Sequence, residues 1–306
     1  MKVKTEIFKT RNLKIAYESY GNTSSPCVLL IHGLGQQLTG WPIELVNSIV
    51  NHGFRVLRID NRDVGKSSRI SQKSNLELAY LLSKVGLKAK VPYVLDDMAN
   101  DVVELIDHLN VMPVHIVGAS MGGMISQIVA SRYPHAVSSL TSIMSSWGSH
   151  HLSKAKKEVL NHLLNPPKKP SHIEAVEYGV KMWELIGSPK YPTDRKILTQ
   201  KVEDEIARNK PDKKGQDRQF SAITVSEPRS NLLKNIQCSS LVIHGSLDPL
   251  IIPSAGVETA ALIPNSKYIE IDGMGHDFPE ALFPEITTHL IEHFNNVNKL
   301  KLKGVE

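Results

Sequence analysis

The feature that most constrains this fold is the stretch Gly118-Ala119-Ser120-Met121-Gly122. An apolar run at 114–117 precedes it, and a segment at 123–130 that is typical of a buried helix follows it. This pattern between a buried strand and a helix predicts a sharp turn that lifts the serine hydroxyl out of the backbone path. Small residues on both sides let strand and helix approach. The pattern indicates that Ser120 is a nucleophile, and a plain strand-to-helix turn is the alternative.

Buried strands and helices alternate along much of the chain. Apolar runs predict strands at 27–31, 54–59, 114–117, 139–144, 241–243 and 267–271, and helical spacing predicts helices at 41–51, 76–84, 95–109, 255–262 and 281–294. Weak alternation predicts two opening strands at 2–8 and 13–20, and we expect the polar tail at 295–306 to fray. This order predicts an α/β fold whose mainly parallel sheet carries its site at the carboxyl ends of the strands.

Residues 147–229 interrupt this alternation. The segment has no strand pattern, is rich in lysine, and is broken by several prolines. It predicts a helical insertion that covers the site as a cap, or lid. The core domain would then consist of 1–146 and 230–306.

The net charge of +5 comes largely from clustered lysines at 154–157, 168–169 and 210–214. No aromatic residues are interleaved with these clusters, and no nucleic-acid motif accompanies them. We interpret them as a solvated basic face and expect no nucleic-acid partner.

Targeting and membrane signals are also missing from the sequence pattern. The first residues carry charge but lack an apolar core, and the longest uncharged run, 111–131, is interrupted by several glycines and a proline. Two cysteines form no disulfide framework and fit a reducing compartment. We therefore expect a cytoplasmic protein with no membrane span.

A serine nucleophile needs a base, and the base needs an orienting carboxylate. In a fold of this type the chain order is serine, acid, histidine. Asp248 follows the strand predicted at 241–243, and His276 follows the strand predicted at 267–271. Both would therefore stand at carboxyl ends of strands, where their side chains can converge on Ser120.

Other residues compete for these roles. His244 ends its strand and is interpreted as buried structure, and His32 belongs to a glycine turn. Asp277 adjoins His276 in sequence and is badly placed to reach its Nδ1, whereas Asp272 lies nearer the strand itself. These alternatives leave Asp248 and His276 as the preferred pair.

An oxyanion hole requires backbone N–H groups preorganised beside the nucleophile. Met121, the residue after the serine, would supply one of them. Leu34, in the turn that follows the first buried strand, would supply the other, since its flanking glycines let the backbone approach a substrate. A simple glycine turn is the alternative for this segment.

The pocket and its cofactors are less constrained by sequence. We predict substrate contacts from Gly33, Trp41, Trp147 and Trp183, although packing in the core is an equal alternative for the aromatic residues. The sequence contains no phosphate loop and no dinucleotide fingerprint. We expect no metal site, because the pair His150-His151 lies in the lysine-rich insertion, and we expect no cofactor.

Taken together, these motifs resemble the α/β-hydrolase superfamily. The matching segments follow the superfamily's order over about 27–295: His32-Gly33-Leu34-Gly35, Asp60-Asn61-Arg62-Asp63-Val64-Gly65-Lys66-Ser67, Gly118-Ala119-Ser120-Met121-Gly122-Gly123, Gly245-Ser246-Leu247-Asp248-Pro249 and Gly273-Met274-Gly275-His276. The finer pattern is similar to the branch of aclacinomycin methylesterase and the cofactor-free haloperoxidase-like esterases.

This resemblance implies a triad of Ser120, His276 and Asp248 beneath a helical cap, and hydrolysis of a small-molecule carboxylic ester through an acyl-enzyme. Cleavage of an amide, a thioester or a carbon–carbon bond is an alternative within the hydrolases. A ligand-binding protein on the same fold is an alternative from another class. The sequence leaves the substrate's identity and any homo-oligomer undetermined.

Overall fold

The computed structural model describes residues 3–10, 12–148 and 154–303. The pair His150-His151, together with Lys2 at the start of the predicted first strand, lies outside the described residues. The strands are β1 (Glu6–Lys9), β2 (Lys14–Tyr20), β3 (Cys27–Ile31), β4 (Arg55–Ile59), β5 (Val114–Ala119), β6 (Val137–Ile143), β7 (Ser239–Gly245) and β8 (Lys267–Ile271).

Helices separate most of these strands. They are α1 (Ile43–Asn51), α2 (Leu76–Lys84), α3 (Leu95–His108), α4 (Met121–Arg132), α5 (Lys157–Leu164), α6 (His172–Ile186), α7 (Arg195–Arg208), α8 (Lys213–Val225), α9 (Ser230–Lys234), α10 (Pro253–Leu262) and α11 (Phe283–Lys303). The predicted alternation of strands and helices is confirmed.

The described strands form one eight-stranded sheet in the order β1-β2-β4-β3-β5-β6-β7-β8. The pairs β1–β2 and β2–β4 are antiparallel, and all other pairs are parallel. Because β3 and β5 are parallel neighbours, with Ile31 opposite Gly118, the turns that follow them meet at the same edge of the sheet. The predicted mainly parallel sheet is confirmed, and its carboxyl edge brings the sequence motifs together.

Both faces of the sheet are buried along its central strands. Along β3, Leu29 and Ile31 pack into one hydrophobic cluster, while Val28 and Leu30 pack into a second cluster on the other face. Side chains alternate between the two faces of a strand, so a strand covered on both faces must be apolar at every position. This requirement explains the uninterrupted apolar run of the sequence at Cys27–Ile31.

The segment between β6 and β7 is helical where it is described. Helices α5 to α8 lie here and are separated by the proline-containing loops of the sequence. Asp194 and Asp212 cap α7 and α8, each accepting a hydrogen bond from a backbone N–H of the first turn. Ser171 and Glu174 form a reciprocal capping box at the start of α6.

Several element boundaries differ from the sequence prediction, and two of these differences have a physical reason in the structure. Helix α1 begins at Ile43, because Pro42 occupies the position before the first helical turn and Trp41 ends a separate 3-10 turn at Leu38–Gly40. The tail does not fray at residue 295, since α11 continues to Lys303 and Val297 is still buried three residues beyond Phe294. Among the described helices, none combines the length and the apolar character needed to span a bilayer.

Candidate active site

Ser120 stands at the junction of β5 and α4 with φ of 55° and ψ of −120°. Few non-glycine residues adopt a positive φ, so the surrounding contacts must hold this conformation in place. The backbone N–H of Ser120 donates to the carbonyl of Ile143 at 2.9 Å, and the Ser145 hydroxyl donates to the carbonyl of Ser120 at 2.7 Å. Ser120 therefore has the sharp strand-to-helix turn that the sequence predicts.

The two glycines on either side of Ser120 are required because neighbouring backbone atoms lie very close to their Cα atoms. A Cβ on Gly118 would collide with the Gly122 carbonyl, and a Cβ on Gly122 would collide with the carbonyl of Ile31 on the neighbouring strand. The turn thus packs directly against the end of β3, which leaves no room for a side chain at either position.

His276 and Asp248 are joined by a hydrogen bond. The His276 Nδ1 lies 2.7 Å from the Asp248 Oδ2. The loops that carry them follow β8 and β7, two adjacent parallel strands. The backbone N–H of His276 also donates to the carbonyl of Ile186 at 2.7 Å, which fixes this loop to the end of α6. The predicted pairing of an acid and a histidine at this edge is thus present.

Asp248 is buried, and both of its carboxylate oxygens accept hydrogen bonds. Its Oδ1 accepts the backbone N–H groups of Leu250 at 2.9 Å and Ile251 at 2.8 Å. Burial alone would raise the pKa of Asp248, but the charge interaction with His276, together with the hydrogen bonds from His244 and His276, outweighs it. The pKa of Asp248 is consequently held well below its usual value, and the group stays an anion at neutral pH.

Ser120 and His276 line the same cavity, of about 260 Å³. Gly33 and Leu34, in the turn after β3, also line it. A Cβ placed on Gly33 would lie 3.4 Å from the Ser120 Oγ, so this turn runs close beside the hydroxyl. The rest of the wall comes largely from α6, α7 and the loops of the helical segment.

Two backbone N–H groups near Ser120 are available to a ligand. Within the described ranges, no hydrogen bond uses the N–H of Leu34 or the N–H of Met121. Met121 is the first residue of α4, where N–H groups lack an intrahelical acceptor. The structure leaves free the same two donors that the sequence singles out.

The aromatic residues predicted as substrate contacts have different positions. Trp183 lines the cavity. Trp41 is fully buried, and its ring centroid lies 5.0 Å from that of Phe278, whereas Trp147 donates from Nε1 to Glu258 at 3.0 Å. Neither Trp41 nor Trp147 is part of the cavity wall, because packing in the core and a hydrogen bond to α10 hold them elsewhere.

The two other acids considered as partners of His276 are bonded to different residues. Asp277 accepts a hydrogen bond from the Ser188 hydroxyl at 2.5 Å, and exposed Asp272 pairs with Lys190 at 2.6 Å. In the ranges that the structure describes, no group of three His, Cys, Asp or Glu side chains is arranged to hold a metal ion.

Several residues around the site have no motif that would identify them. Arg208 of α7 forms a double hydrogen bond with buried Asp60, and Arg218 of α8 forms one with Asp63, which also accepts the Tyr93 hydroxyl at 2.6 Å. The acids belong to the polar turn after β4, which the sequence analysis noted, but their arginine partners lie about 150 residues later. Only the tertiary packing of the helical segment reveals these pairs.

Comparison with known proteins gives a match to the family described as the alpha/beta hydrolase fold over residues 26–280. A rhodomycin D methylesterase from Streptomyces peucetius is 25% identical over 303 residues, which covers 90% of this chain and 93% of that protein. BpoC of Mycobacterium tuberculosis, whose name includes the term non-heme bromoperoxidase, is 24% identical over 307 residues, covering 93% and 99%.

Among solved structures, the enol-lactonase from Burkholderia xenovorans LB400 superposes with a TM-score of 0.74 at 20% identity, covering 95% of this chain and 100% of the other. This similarity shows the shared fold. The resemblance to the methylesterase and haloperoxidase-like branch that the sequence indicates is confirmed.

Proposed function

Because the chain belongs to the alpha/beta hydrolase family, we propose that it is a serine hydrolase that cleaves a carboxylic ester. In this proposal Ser120 is the nucleophile, His276 is the general base and acid, and Asp248 orients the imidazole. The methylesterase relative supports an ester as the substrate class.

One observation carries the proposal. The His276 Nδ1 is bonded to an anionic carboxylate at 2.7 Å, and the same histidine faces a cavity shared with a serine held at positive φ. Both oxygens of Asp248 accept hydrogen bonds, so the orientation of this carboxylate is fixed. The carboxylate in turn favours the His276 tautomer that carries its proton on Nδ1, which leaves Nε2 free to accept a proton.

The chemistry follows from this arrangement. The Ser120 Oγ attacks the ester carbonyl while His276 Nε2 takes its proton, and the carbonyl oxygen becomes an oxyanion that accepts the N–H groups of Leu34 and Met121. Collapse of the tetrahedral intermediate breaks the ester C–O bond, and His276 returns the proton to the leaving alcohol. Water, deprotonated by the same histidine, then attacks the acyl-enzyme and releases the acid and free Ser120.

We also propose that residues 147–229 act as the cap of this site, with the core domain formed by 1–146 and 230–306. The cavity wall from α6 and α7 supports this division. A cavity of about 260 Å³ beneath the cap, with a largely apolar wall, fits a small to medium ester.

Hydrolysis of p-nitrophenyl esters of increasing acyl length, with the Ser120→Ala variant alongside, tests the proposal. We expect turnover by the wild type, a fall of at least about 10³-fold in kcat for the variant, and an unchanged circular dichroism spectrum. Comparable turnover in Ser120→Ala would contradict the assignment of the nucleophile.

A fluorophosphonate probe separates the remaining outcomes. Labelling of wild-type Ser120 without turnover of the esters would keep the nucleophile and direct the search to amides, thioesters or carbon–carbon bonds. Neither labelling nor turnover would overturn the proposal in favour of a ligand-binding protein on this fold.

A further inference from the structure

Helix α2 and the turn that follows it expose apolar side chains at helical spacing. Leu78, Leu81 and Val85 are three and four residues apart, so they share one side of the helix. Their exposed fractions are 47%, 61% and 69%, and that of Leu87, in the turn, is 59%. We call these four residues the α2 surface. Large apolar side chains that are this exposed and this close together mark a surface that interacts with another molecule.

The α2 surface belongs to an ordered part of the fold. The other side of the helix packs against α8, and Ala79 on that side is fully buried. After the helix, the Leu87 N–H donates to the carbonyl of Leu82 at 2.9 Å, and Gly86 has φ of 74°, as in the common glycine end of a helix. The backbone therefore holds the four apolar side chains outward.

Basic residues stand on both sides of the α2 surface in sequence. From Lys73 to Lys90 the chain contains four lysines and one glutamate. Lys88 is bonded to Glu227, whereas exposed Lys73 and Lys90 form no ion pair with a described residue. An apolar stripe accompanied by lysines is typical of a helix that lies in the interface of an anionic membrane. There the apolar side chains enter the boundary of the acyl chains, and the ammonium groups are attracted by the negative surface.

Two other occupants fit this surface less well. A second copy of the chain, related by a twofold axis, would bring the same lysines face to face. A partner helix is usually bound in a groove. The four apolar side chains line neither the cavity of the candidate site nor the depression beside Lys88 and Glu227. A lipid interface requires neither a groove nor a matching shape.

We propose that the α2 surface binds anionic lipid membranes, with its four apolar side chains inserted among the lipid headgroups and with Lys73 and Lys90 against phosphate groups. The Ser74 hydroxyl, just before α2, donates to the Ser221 hydroxyl of α8 at 2.8 Å, and Gln216 of α8 lines the cavity of the candidate site. The membrane contact is thus one helix away from the cavity wall. The proposal does not rest on the proposed hydrolysis, since binding is measured without turnover.

Co-sedimentation of the full chain with sucrose-loaded vesicles tests the proposal. We expect binding to phosphatidylcholine vesicles that contain about 30% phosphatidylglycerol, and binding at least about tenfold weaker to phosphatidylcholine alone, because the lysines gain from a negative surface. Ser120→Ala should bind equally well, so the result is independent of whether the protein hydrolyses esters. Absence of binding to the anionic vesicles would overturn the proposal.

A double variant assigns the binding to the apolar side chains. Leu81→Gln with Val85→Gln should lower the partition coefficient on anionic vesicles at least about tenfold, because two apolar side chains no longer enter the interface. Ile43→Gln with Val257→Gln is the matched control, since these exposed residues belong to α1 and α10, and it should keep the wild-type value. Unchanged binding of the Leu81 and Val85 variant would overturn the proposal.

A second pair of double variants tests the lysines. Lys73→Gln with Lys90→Gln should weaken binding to anionic vesicles about fivefold or more. Lys196→Gln with Lys267→Gln makes the same change in net charge at two exposed lysines of α7 and β8, and should retain most of the binding. Equal losses in the two pairs would show a diffuse attraction to a positive protein and would overturn the α2 surface as the binding site.

The oligomeric state separates a membrane from a second copy of the chain. We expect the wild type to show no self-association through this surface in sedimentation equilibrium. A dimer that is lost in Leu81→Gln with Val85→Gln, in a protein that does not bind vesicles, would assign the α2 surface to a second copy and overturn the proposal. Circular dichroism checks that each variant is folded, as expected for substitutions of exposed side chains.

Discussion

The His244 Nε2 lies 3.3 Å from the Oδ2 of Asp248, the same oxygen that is bonded to the His276 Nδ1 at 2.7 Å. The His244 Nε2 also lies 2.8 Å from the carbonyl of Ile251. Both neighbours are acceptors, so we assign the ring proton to Nε2. His244 is fully buried, and it therefore acts as a second donor that holds the Asp248 carboxylate in place.

Replacement of His244 by phenylalanine removes this donor and keeps a ring of similar size. We expect kcat to fall about tenfold, which corresponds to about 1.4 kcal/mol for the loss of an orienting hydrogen bond, with little change in KM. Steady-state kinetics and the rate of fluorophosphonate labelling measure the effect. His244→Gln retains a donor and should recover part of the rate, and equal losses in both variants would argue for a packing role alone.

Substitution of Gly122 by alanine tests the close packing of the turn. Its Cβ would overlap the Ile31 carbonyl, so strand and helix must separate, and we expect a loss of about 3 kcal/mol in the free energy of unfolding. Gly53→Ala is the comparison, since Gly53 has φ of +89° but no atom within 4 Å of an added Cβ. It should cost about 1–2 kcal/mol in urea denaturation. Equal losses would contradict a steric requirement at Gly122.

The sequence predicts the bounds of three elements, although burial at every position explains only one of them. The strand at Cys27–Ile31 is fully buried, whereas the strand at Lys267–Ile271 and the helix at Leu76–Lys84, whose bounds are also as predicted, are partly exposed. The extension of α11 to Lys303 is not visible in the polar tail, because the burial of Val297 that accompanies it is a property of the folded chain.

The candidate site likewise contains residues that sequence motifs predict and residues whose position only the structure reveals. Motifs predict Ser120, Asp248 and His276 as site residues, because the carboxyl ends of parallel strands meet at one edge of the sheet. Trp41 and Trp183 are indistinguishable by sequence, and only the folded helical segment places Trp183 in the wall and Trp41 in the core. Lys201 likewise belongs to a lysine-rich segment, and its position beside Trp183 follows from tertiary packing.

The pair of Arg208 and Asp60 joins the helical segment to the core. Asp60 is completely buried, and the Arg208 Nη2 lies 2.8 Å from its Oδ2. Loss of Arg208 would leave a buried carboxylate without its counterion, so we expect Arg208→Leu to lower the free energy of unfolding by about 3 kcal/mol. Urea denaturation measures this loss.

Two further variants make that prediction specific. Arg195→Leu removes an exposed arginine from the same helix, whose ion pairs with Glu177 and Glu184 lie in solvent, and should cost less than about 1 kcal/mol. The double variant Asp60→Asn with Arg208→Leu should lose less than the sum of the two single variants. Additive losses would show that the two side chains do not interact energetically.

The charge on Glu205 makes the stability of the protein depend on pH. Burial raises the pKa of Glu205 in the folded state, so the folded protein binds this proton more tightly than the unfolded chain does. Stability is therefore lost as pH rises from about 4.3, the usual pKa of a free glutamate, through the raised folded value, and this loss persists at neutral pH.

Glu205→Gln removes this penalty. We expect the variant to have a higher Tm than the wild type at pH 7, by roughly 2–4 °C for each kcal/mol regained, and a Tm close to that of the wild type at about pH 4, where Glu205 is protonated in the folded state and mostly protonated in the unfolded state. Differential scanning calorimetry at the two pH values checks the sign, and Glu292→Gln, an exposed glutamate of α11, is the control. A variant that is less stable than the wild type at pH 7 would mean that the carboxylate has a structural partner.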